Sequence, residues 1–231
     1  LENDAYWQRG YLGKAKNVES IIFRLQGTIL KPKYNLPRKN HKVCLDFGCG
    51  QGATVNYMNS IGYDCYGIDI SKKDISIARK MFPHIKHKFI ICKPEIWKFD
   101  LNKFTKNKKI DLIICQQSLY YFDKEEFNLL LRKFKEALSS KGIIYASMIS
   151  KHHSYYKKSK KIKGSTWIKE VNWKNARIKV LNYHIHFIDS VSKLKKNFDI
   201  FKILHTGNYT YQLDQTETNS HHYTIICQKK I

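Results

Sequence analysis

The chain has 231 residues, enough for one α/β domain with a sizeable core and too few for two full domains. A hydrophobic content of 42% and an aromatic content of 13% favour a globular protein and exclude extended disorder. Its 42 Lys and Arg residues against 19 Asp and Glu give a net charge of +23, which indicates either an anionic partner or a compositional bias towards Lys.

No apolar run approaches the roughly 18 residues that a membrane span requires. Glu2 and Asp4 stand where a signal peptide would be basic. The cysteines form no C-x-x-C pair, which is typical of a reducing compartment and indicates no metal site. We therefore expect a cytoplasmic protein without a bound metal.

Helical spacing of apolar residues predicts an N-terminal helix over 17–30, and a basic linker follows it. Strands and helices then alternate. The pattern predicts strands at 43–47, 65–70, 89–92, 110–115, 143–149, 200–205 and 223–228, and helices at 53–61, 71–82 and 123–138. The nearly continuous apolar strands predict an α/β fold, a doubly wound, mostly parallel seven-stranded sheet with helices on both faces.

The stretch after strand five is basic, aromatic and without a period, so we expect an exposed loop over 151–163. The organisation that follows is an N-terminal cap helix and linker over 1–40 and a main domain over 41–231. Within the main domain, 151–190 forms an insertion after strand five, and we expect it to cover the substrate.

The motif Asp46-x-Gly48-x-Gly50-x-Gly52 follows the first strand. Glycines let the chain turn sharply and bring backbone N–H groups close to a ligand. Asp46 would repel a pyrophosphate at the start of the next helix, so it counts against a dinucleotide and favours a ligand with an ammonium group. The motif resembles that of the class I S-adenosylmethionine-dependent methyltransferases, and the resemblance extends over 43–149, with weaker similarity in the final strands.

The resemblance implies S-adenosylmethionine as the cofactor. The residues it assigns to cofactor binding are Asp46, Gly48, Cys49, Gly50, Gly52, Asp69, Ile70, Glu95, Ile96 and Gln116. A carboxylate at Asp69, which ends the second strand, suits the two ribose hydroxyls. Around Glu95 the sequence departs from the family's usual pattern.

Two further segments resemble parts of the family's site. The N-terminal "YWQRGY" is similar to a segment that covers the cofactor, so Trp7 is expected to pack over it and Arg9 to pair with its carboxylate, although Trp7 equally suits an anchor for the terminus. After strand four, Tyr120 and Tyr121 are candidates to face the acceptor, and at least one of them equally suits the core.

Methyl transfer requires mainly positioning. An oxygen acceptor also needs a base, for which His152, His153, His184 and His186 are candidates, although histidines often serve packing alone. The favoured function is methyl transfer to oxygen of a small-molecule or saccharide acceptor, anionic or polyhydroxylated. The alternatives are an RNA methyltransferase that uses the lysines of 157–163 and a catalytically silent cofactor-fold binding module.

Overall fold

The computed structural model describes residues 20–25, 27, 42–98, 100–175, 178–211 and 219–230. Much of the predicted N-terminal helix and of the linker lies outside them. The described part of that helix is α1 (Ser20–Arg24), and Ile22 and Leu25 are buried. This segment therefore contributes apolar side chains to the core.

The other elements of the described residues follow in chain order. The α-helices are α2 (Ala53–Ser60), α3 (Lys72–Met81), α4 (Lys124–Ala137), α5 (Ser154–Lys157) and α6 (Val191–Asn197). The strands are β1 (Val43–Phe47), β2 (Asp64–Asp69), β3 (Phe89–Ile91), β4 (Ile110–Cys115), β5 (Leu138–Ile149), β6 (Ser159–Lys161), β7 (Lys169–Asn175), β8 (Ile178–Ile185), β9 (Phe201–Tyr209) and β10 (His222–Lys229). None of the helices in these ranges is both long and apolar enough to cross a membrane.

Seven strands form the main sheet in the order β3-β2-β1-β4-β5-β10-β9. The first five are parallel, while β10 is antiparallel to both β5 and β9. The predicted seven-stranded, mostly parallel sheet is confirmed. The strand order reverses between β1 and β4, so the carboxyl ends of these central strands flank the crevice in which open α/β sheets bind ligands.

Both faces of the main sheet are covered, as the uninterrupted apolar strands predict. Alternate residues of β1 point to opposite faces: Leu45 and Phe47 join the cluster that contains α4, whereas Cys44 joins the cluster that contains α2 and α3. All five residues of β1 are buried. The strand that carries the acid and the glycines is therefore held rigidly at the centre of the core.

The insertion between β5 and α6 is more ordered than the predicted loop over 151–163, and that prediction was wrong in its local structure. The Nδ1 atom of His153 accepts a hydrogen bond from the Tyr155 N–H and caps α5. Strand β6 then pairs with β7, and β7 with β8, in a separate three-stranded antiparallel sheet. Hydrogen bonding within the insertion thus supplies structure that apolar periodicity does not reveal.

Candidate functional site

A cavity of about 500 Å³ lies at the carboxyl ends of β1, β2 and β4. One group of its residues comes from the turn after β1 and from the end of β2; we name it the turn lining (residues 46–54, 68–70 and Asp74). A second group comes from the segment after β4 and from the insertion; we name it the insertion lining (residues 120–123, Glu126, Ile168 and His184). The two linings belong to one continuous space.

The turn lining is fixed by short backbone hydrogen bonds. The N–H groups of Gly48 and Cys49 both donate to the Ile68 carbonyl, at 2.9 and 3.0 Å. The Gly50 N–H donates to Oδ2 of Asp69 at 2.8 Å. Gly50 has a φ of +50°, and a Cβ placed there would meet no atom within 4 Å, so its bare backbone faces open space in the cavity.

Gly52 shows a different constraint at the start of α2. Its φ is +83°, and a Cβ there would lie 2.4 Å from Cε1 of Phe89. The close approach of this turn to Phe89 on β3 requires a residue without a side chain. The last glycine of the motif is therefore a packing requirement, whereas Gly50 leaves room for a ligand.

Asp69 is a carboxylate of the turn lining that is held at both oxygens. Its Oδ1 accepts from the Ser71 N–H and its Oδ2 from the Gly50 N–H, both at 2.8 Å. Burial raises the pKa of Asp69, hydrogen bonds from the backbone N–H groups of Ser71, Gly50 and Ile70 oppose that rise, and the charge of Asp74 adds to it. A carboxylate has about four lone-pair sites, so beside these three donors Asp69 can still accept a hydroxyl group from a ligand in the cavity.

Asp46 also lines the cavity, and it is only 3% exposed. Two thiols line the cavity beside these acids. Burial, assisted by the charge of Asp69, raises the pKa of Cys92 to about 12 and that of Cys49 well above its ordinary value. Both therefore remain protonated near neutral pH and are poor nucleophiles.

The segment after β4 carries a network of amides and hydroxyls. Tyr145 donates its hydroxyl to Oε1 of Gln116 at 3.0 Å, and Nε2 of Gln116 donates to the Tyr209 hydroxyl at 2.9 Å. Gln117 adopts a φ of +53°, with its N–H bonded to the buried Ser147 hydroxyl at 2.8 Å. The hydroxyl of Ser118 is buried and has no hydrogen-bond partner among the described residues, although Ser118 lines the cavity.

The insertion lining is held against this segment by Trp167. Its indole N–H donates to the Phe122 carbonyl at 3.2 Å, and its ring stacks on His186 with 3.6 Å between centroids. The backbone N–H of His186 donates to the Tyr120 carbonyl at 2.8 Å. The cavity lining thus includes residues from the insertion, Ile168 and His184, next to Tyr120 and Tyr121.

The four candidate histidines occupy different environments. His184 is half-buried and lines the cavity, whereas His152 is exposed on the surface. Burial lowers the pKa of His153 to about 3, with the His222 and His221 charges acting in the same direction, and its Nδ1 is used as the helix cap. The structure therefore brings only His184 of these four to the cavity.

His186 is committed to structure at both ring nitrogens. Its Nδ1–H donates to the Trp167 carbonyl at 2.7 Å, and its Nε2 is 2.9 Å from the amide nitrogen of Asn197. Burial lowers its pKa to about 4 against the opposing effect of the Trp167 carbonyl. It serves to hold the insertion in place.

Most of the other predicted site residues line the cavity. They are Asp46, Gly48, Cys49, Gly50, Gly52, Asp69, Ile70, Ile96, Gln116, Tyr120 and Tyr121. Glu95 is exposed and is not among the lining residues, which fits the departure of the sequence from the family's pattern at that point. Trp7 and Arg9 lie outside the described residues.

Sequence reasoning missed two carboxylates of the insertion lining. Asp123 and Glu126 form the capping box of α4, with the Glu126 N–H bonded to Oδ1 of Asp123 at 2.9 Å and the Asp123 N–H to Oε2 of Glu126 at 3.2 Å. Both also line the cavity. Burial raises the pKa of Glu126, and the charge of Asp123 raises it further. The hydrogen bond from the Asp123 backbone N–H acts in the opposite direction. The sequence signal that could have indicated them was their position after β4, one of the central strands of the sheet.

No group of three or more His, Cys, Asp or Glu residues in the described ranges is arranged to hold a metal ion. The cavity contains the Asp69 carboxylate at the end of β2, the carboxylate of Asp46 in β1 and the bare backbone of Gly50. These groups lie at the switch point of a doubly wound sheet. This arrangement defines a nucleoside-binding site of the Rossmann-like class.

A family model described as a methyltransferase domain matches residues 24–199. The chain therefore belongs to this family of methyltransferase domains, and its fold is the class I fold of S-adenosylmethionine-dependent enzymes.

Individual relatives agree with the family match. The chain is 29% identical over 117 residues, 50% of its length and 45% of the relative's, to a ubiquinone biosynthesis O-methyltransferase from Pelagibacter ubique (strain HTCC1062). A structure of S-adenosylmethionine-dependent methyltransferases from Methanosarcina mazei superposes with a TM-score of 0.68 at 18% identity, over 93% of this chain and 99% of that one. A structure of magnesium protoporphyrin IX methyltransferase from Synechocystis with bound S-adenosylmethionine superposes with a TM-score of 0.56 at 15% identity, over 91% of this chain and 77% of that one. The chain spans about half the length of the curated relatives it matches.

Proposed function

We propose that this chain catalyses transfer of the methyl group of S-adenosylmethionine to an oxygen atom of a small-molecule or saccharide acceptor. The observation that carries the proposal is the single cavity that runs from Asp69 in the turn lining to His184 in the insertion lining. Its volume of about 500 Å³ lies in the range of small-molecule sites. A cofactor and an acceptor that share this cavity can be held in contact.

The residues of the turn lining fit S-adenosylmethionine. Asp69 keeps acceptor capacity for a ribose hydroxyl, Gly50 leaves space for a ligand against its backbone, and Asp46 suits an ammonium group. The orphaned Ser118 hydroxyl supplies a donor that a bound ligand can satisfy. When bound, the cofactor supplies a methyl group that is already activated by a positively charged sulfur.

The chain's own contribution to the chemistry is positioning and proton transfer. Tyr120 and Tyr121, with ring centroids 4.4 Å apart, place aromatic surface in the cavity for an acceptor ring or sugar face. His184 is the candidate histidine that lines the cavity, and we assign it to accept the hydroxyl proton of the acceptor. The insertion over 151–190 acts as the lid, and most of the predicted cap helix and linker over 1–40 lies outside the described residues.

The test is turnover by the full chain with methyl-labelled S-adenosylmethionine against panels of phenols, saccharides and RNA. We expect label in at least one phenol or saccharide, with kcat lowered about 100-fold in His184→Gln. His152→Gln is the matched control, because His152 is exposed and away from the cavity. Label that enters RNA alone, or equal activity of the two variants, would contradict the proposed acceptor or the proposed base.

The two alternatives make different predictions. The RNA methyltransferase draws support from the exposed lysines Lys157, Lys158, Lys160 and Lys161, and it requires binding that weakens steeply with salt. The silent binding module would be favoured over both enzymes if calorimetry detected no affinity for S-adenosylmethionine. The intact acid-and-glycine turn, with Gly50 open to the cavity, weighs against the silent module.

A further inference from the structure

We infer that the acceptor carries no anionic group and that the insertion lining recognises a protonated amine on it through Asp123 and Glu126. This inference rests on the proposed function, since it concerns the acceptor of that reaction. It differs from the anionic acceptor that the basic composition suggests.

The charge of the cavity is opposite to that of the chain. Lys and Arg outnumber Asp and Glu by 42 to 19 in the sequence. Among the described residues that line the cavity there is no Lys and no Arg, but there are five carboxylates: Asp46, Asp69, Asp74, Asp123 and Glu126. An anionic acceptor would enter this space without a countercharge from these residues.

Three of the five carboxylates belong to the turn lining, where they are already accounted for. Asp69 holds Gly50 and Ser71, and Asp74 accepts a hydrogen bond from Nε2 of Gln51 at 3.3 Å. Asp46 lies in the acid-and-glycine turn at the end of β1. Asp123 and Glu126 are in the insertion lining, next to the tyrosines proposed to face the acceptor.

Local structure does not neutralise these two acids. The capping box uses Oδ1 of Asp123 and Oε2 of Glu126, so one oxygen of each carboxylate takes no part in it. The N-terminus of α4 offers about half a positive charge, which is less than the two negative charges beside it. None of the salt bridges among the described residues involves Asp123 or Glu126. Among the described residues, the insertion lining therefore has two carboxylates and no Lys or Arg.

The aromatic residues beside the acids suit the same ligand. Tyr121 and Phe122 line the cavity between Tyr120 and Asp123 in the chain. A protonated amine is attracted both by carboxylates and by the faces of aromatic rings, whereas a carboxylate or phosphate is repelled by both. The combination indicates an amine-bearing acceptor, with the methylated oxygen elsewhere on the same molecule.

Three phenols of similar size test the inference: tyramine with an ammonium tail, tyrosol with a hydroxyl tail and 4-hydroxyphenylacetate with a carboxylate tail. Calorimetry first measures S-adenosylhomocysteine binding to the full chain, and each phenol is then titrated into the saturated protein. We expect tyramine to bind about tenfold more tightly than tyrosol and 4-hydroxyphenylacetate to bind most weakly, with the tyramine preference reduced at high salt.

The matched variants are chosen to preserve folding. In Asp123→Asn with Glu126→Gln, the side chains remain competent to form the capping box, so the change removes charge alone. Glu125→Gln removes one charge from the same helical turn at an exposed position outside the cavity lining. We expect the double variant to bring the tyramine-to-tyrosol ratio close to one and Glu125→Gln to leave it within about twofold of the unmodified chain.

The outcomes separate the inference from the proposed function. If 4-hydroxyphenylacetate binds as tightly as tyramine, if tyramine fails to bind at millimolar concentration, or if the double variant keeps the tyramine preference, the inference is overturned. Absence of S-adenosylhomocysteine binding would overturn the proposed function instead. The order of the three phenols, measured on the chain without cofactor, would still decide the charge preference in that case.

Discussion

The turn lining and the insertion lining are built in different ways, although they enclose one cavity. The turn lining comes from residues 46–54, 68–70 and Asp74 and is fixed mainly by backbone hydrogen bonds, such as those from Gly48 and Cys49 to the Ile68 carbonyl. The insertion lining brings together the segment after β4, Ile168 and His184, and side chains such as that of Trp167 hold it in place. The first is a local structure, and the second depends on contacts between distant segments.

This difference suggests a division of labour within the proposed enzyme. Backbone contacts in the turn lining tolerate most changes of side chain at the residues that make them. Side-chain contacts in the insertion lining change with each substitution of the residues that form them. We therefore expect acceptor choice to be determined by the insertion lining, and the predictions below test whether the two linings act separately.

The largest expected effect is that of Gly52→Ala on stability. The new Cβ would lie 2.4 Å from Cε1 of Phe89 in a residue with a φ of +83°, so we expect a loss of about 2–5 kcal/mol. Gly50→Ala is the control, because its Cβ would meet no atom within 4 Å and its cost of about 1–2 kcal/mol would come from backbone strain alone. Urea denaturation measures both, and equal losses would contradict the close packing of the turn.

Asp69→Asn is expected to have the next largest effect, on cofactor binding. The amide keeps one acceptor oxygen where the carboxylate has two, so either the Gly50 or the Ser71 N–H loses its partner and the ribose loses a charged acceptor. We expect affinity for S-adenosylhomocysteine to fall about 100-fold, or about 2.7 kcal/mol, by calorimetry. Asp100→Asn makes the same change at an exposed helix cap outside the cavity and should leave that affinity unchanged.

The two linings also differ in how much of them the sequence predicts. Asp46 and Asp69 lie near the ends of predicted strands, the glycines follow the first of these strands at fixed spacing, and all of them line the cavity. Parallel pairing brings the ends of β1 and β2 to one edge of the sheet, so local pattern is sufficient there.

The insertion lining could not be predicted in the same way. Asp123 and Glu126 are recognisable in the sequence as a capping box, but their second position, in the cavity wall, depends on how α4 packs after β4. Ile168 and His184 reach the cavity through the three-stranded sheet, which the apolar pattern of the sequence does not indicate. Among the candidate histidines, spacing alone could not distinguish His184 from His186. His186 lies two residues later in the chain, just past the end of β8.

Trp167→Ala tests the insertion lining alone. It removes the hydrogen bond to the Phe122 carbonyl and the ring stacked on His186, so the lid is expected to lose its fixed position over the cavity. We expect tyramine affinity to fall about tenfold while S-adenosylhomocysteine affinity stays within twofold. Trp167→Phe retains an aromatic ring, so its tyramine affinity should lie between those of the unmodified chain and Trp167→Ala. An equal loss for both ligands would show that the linings are not separate.

The smallest expected effect is the pH dependence of cofactor binding, and its sign follows from Asp69. The ionised carboxylate accepts a ribose hydroxyl, so affinity for S-adenosylhomocysteine should fall as the pH drops through the pKa of Asp69. Burial raises that pKa, so the fall begins at a higher pH than for an ordinary aspartate. Stability should change in the opposite direction, because a carboxyl with a raised pKa in the folded state destabilises that state at higher pH and loses this penalty on acidification. Calorimetry from pH 7.5 down to 4.5, compared with Asp69→Asn, isolates this group, and a pH dependence that persists unchanged in Asp69→Asn would show that another titrating group causes it.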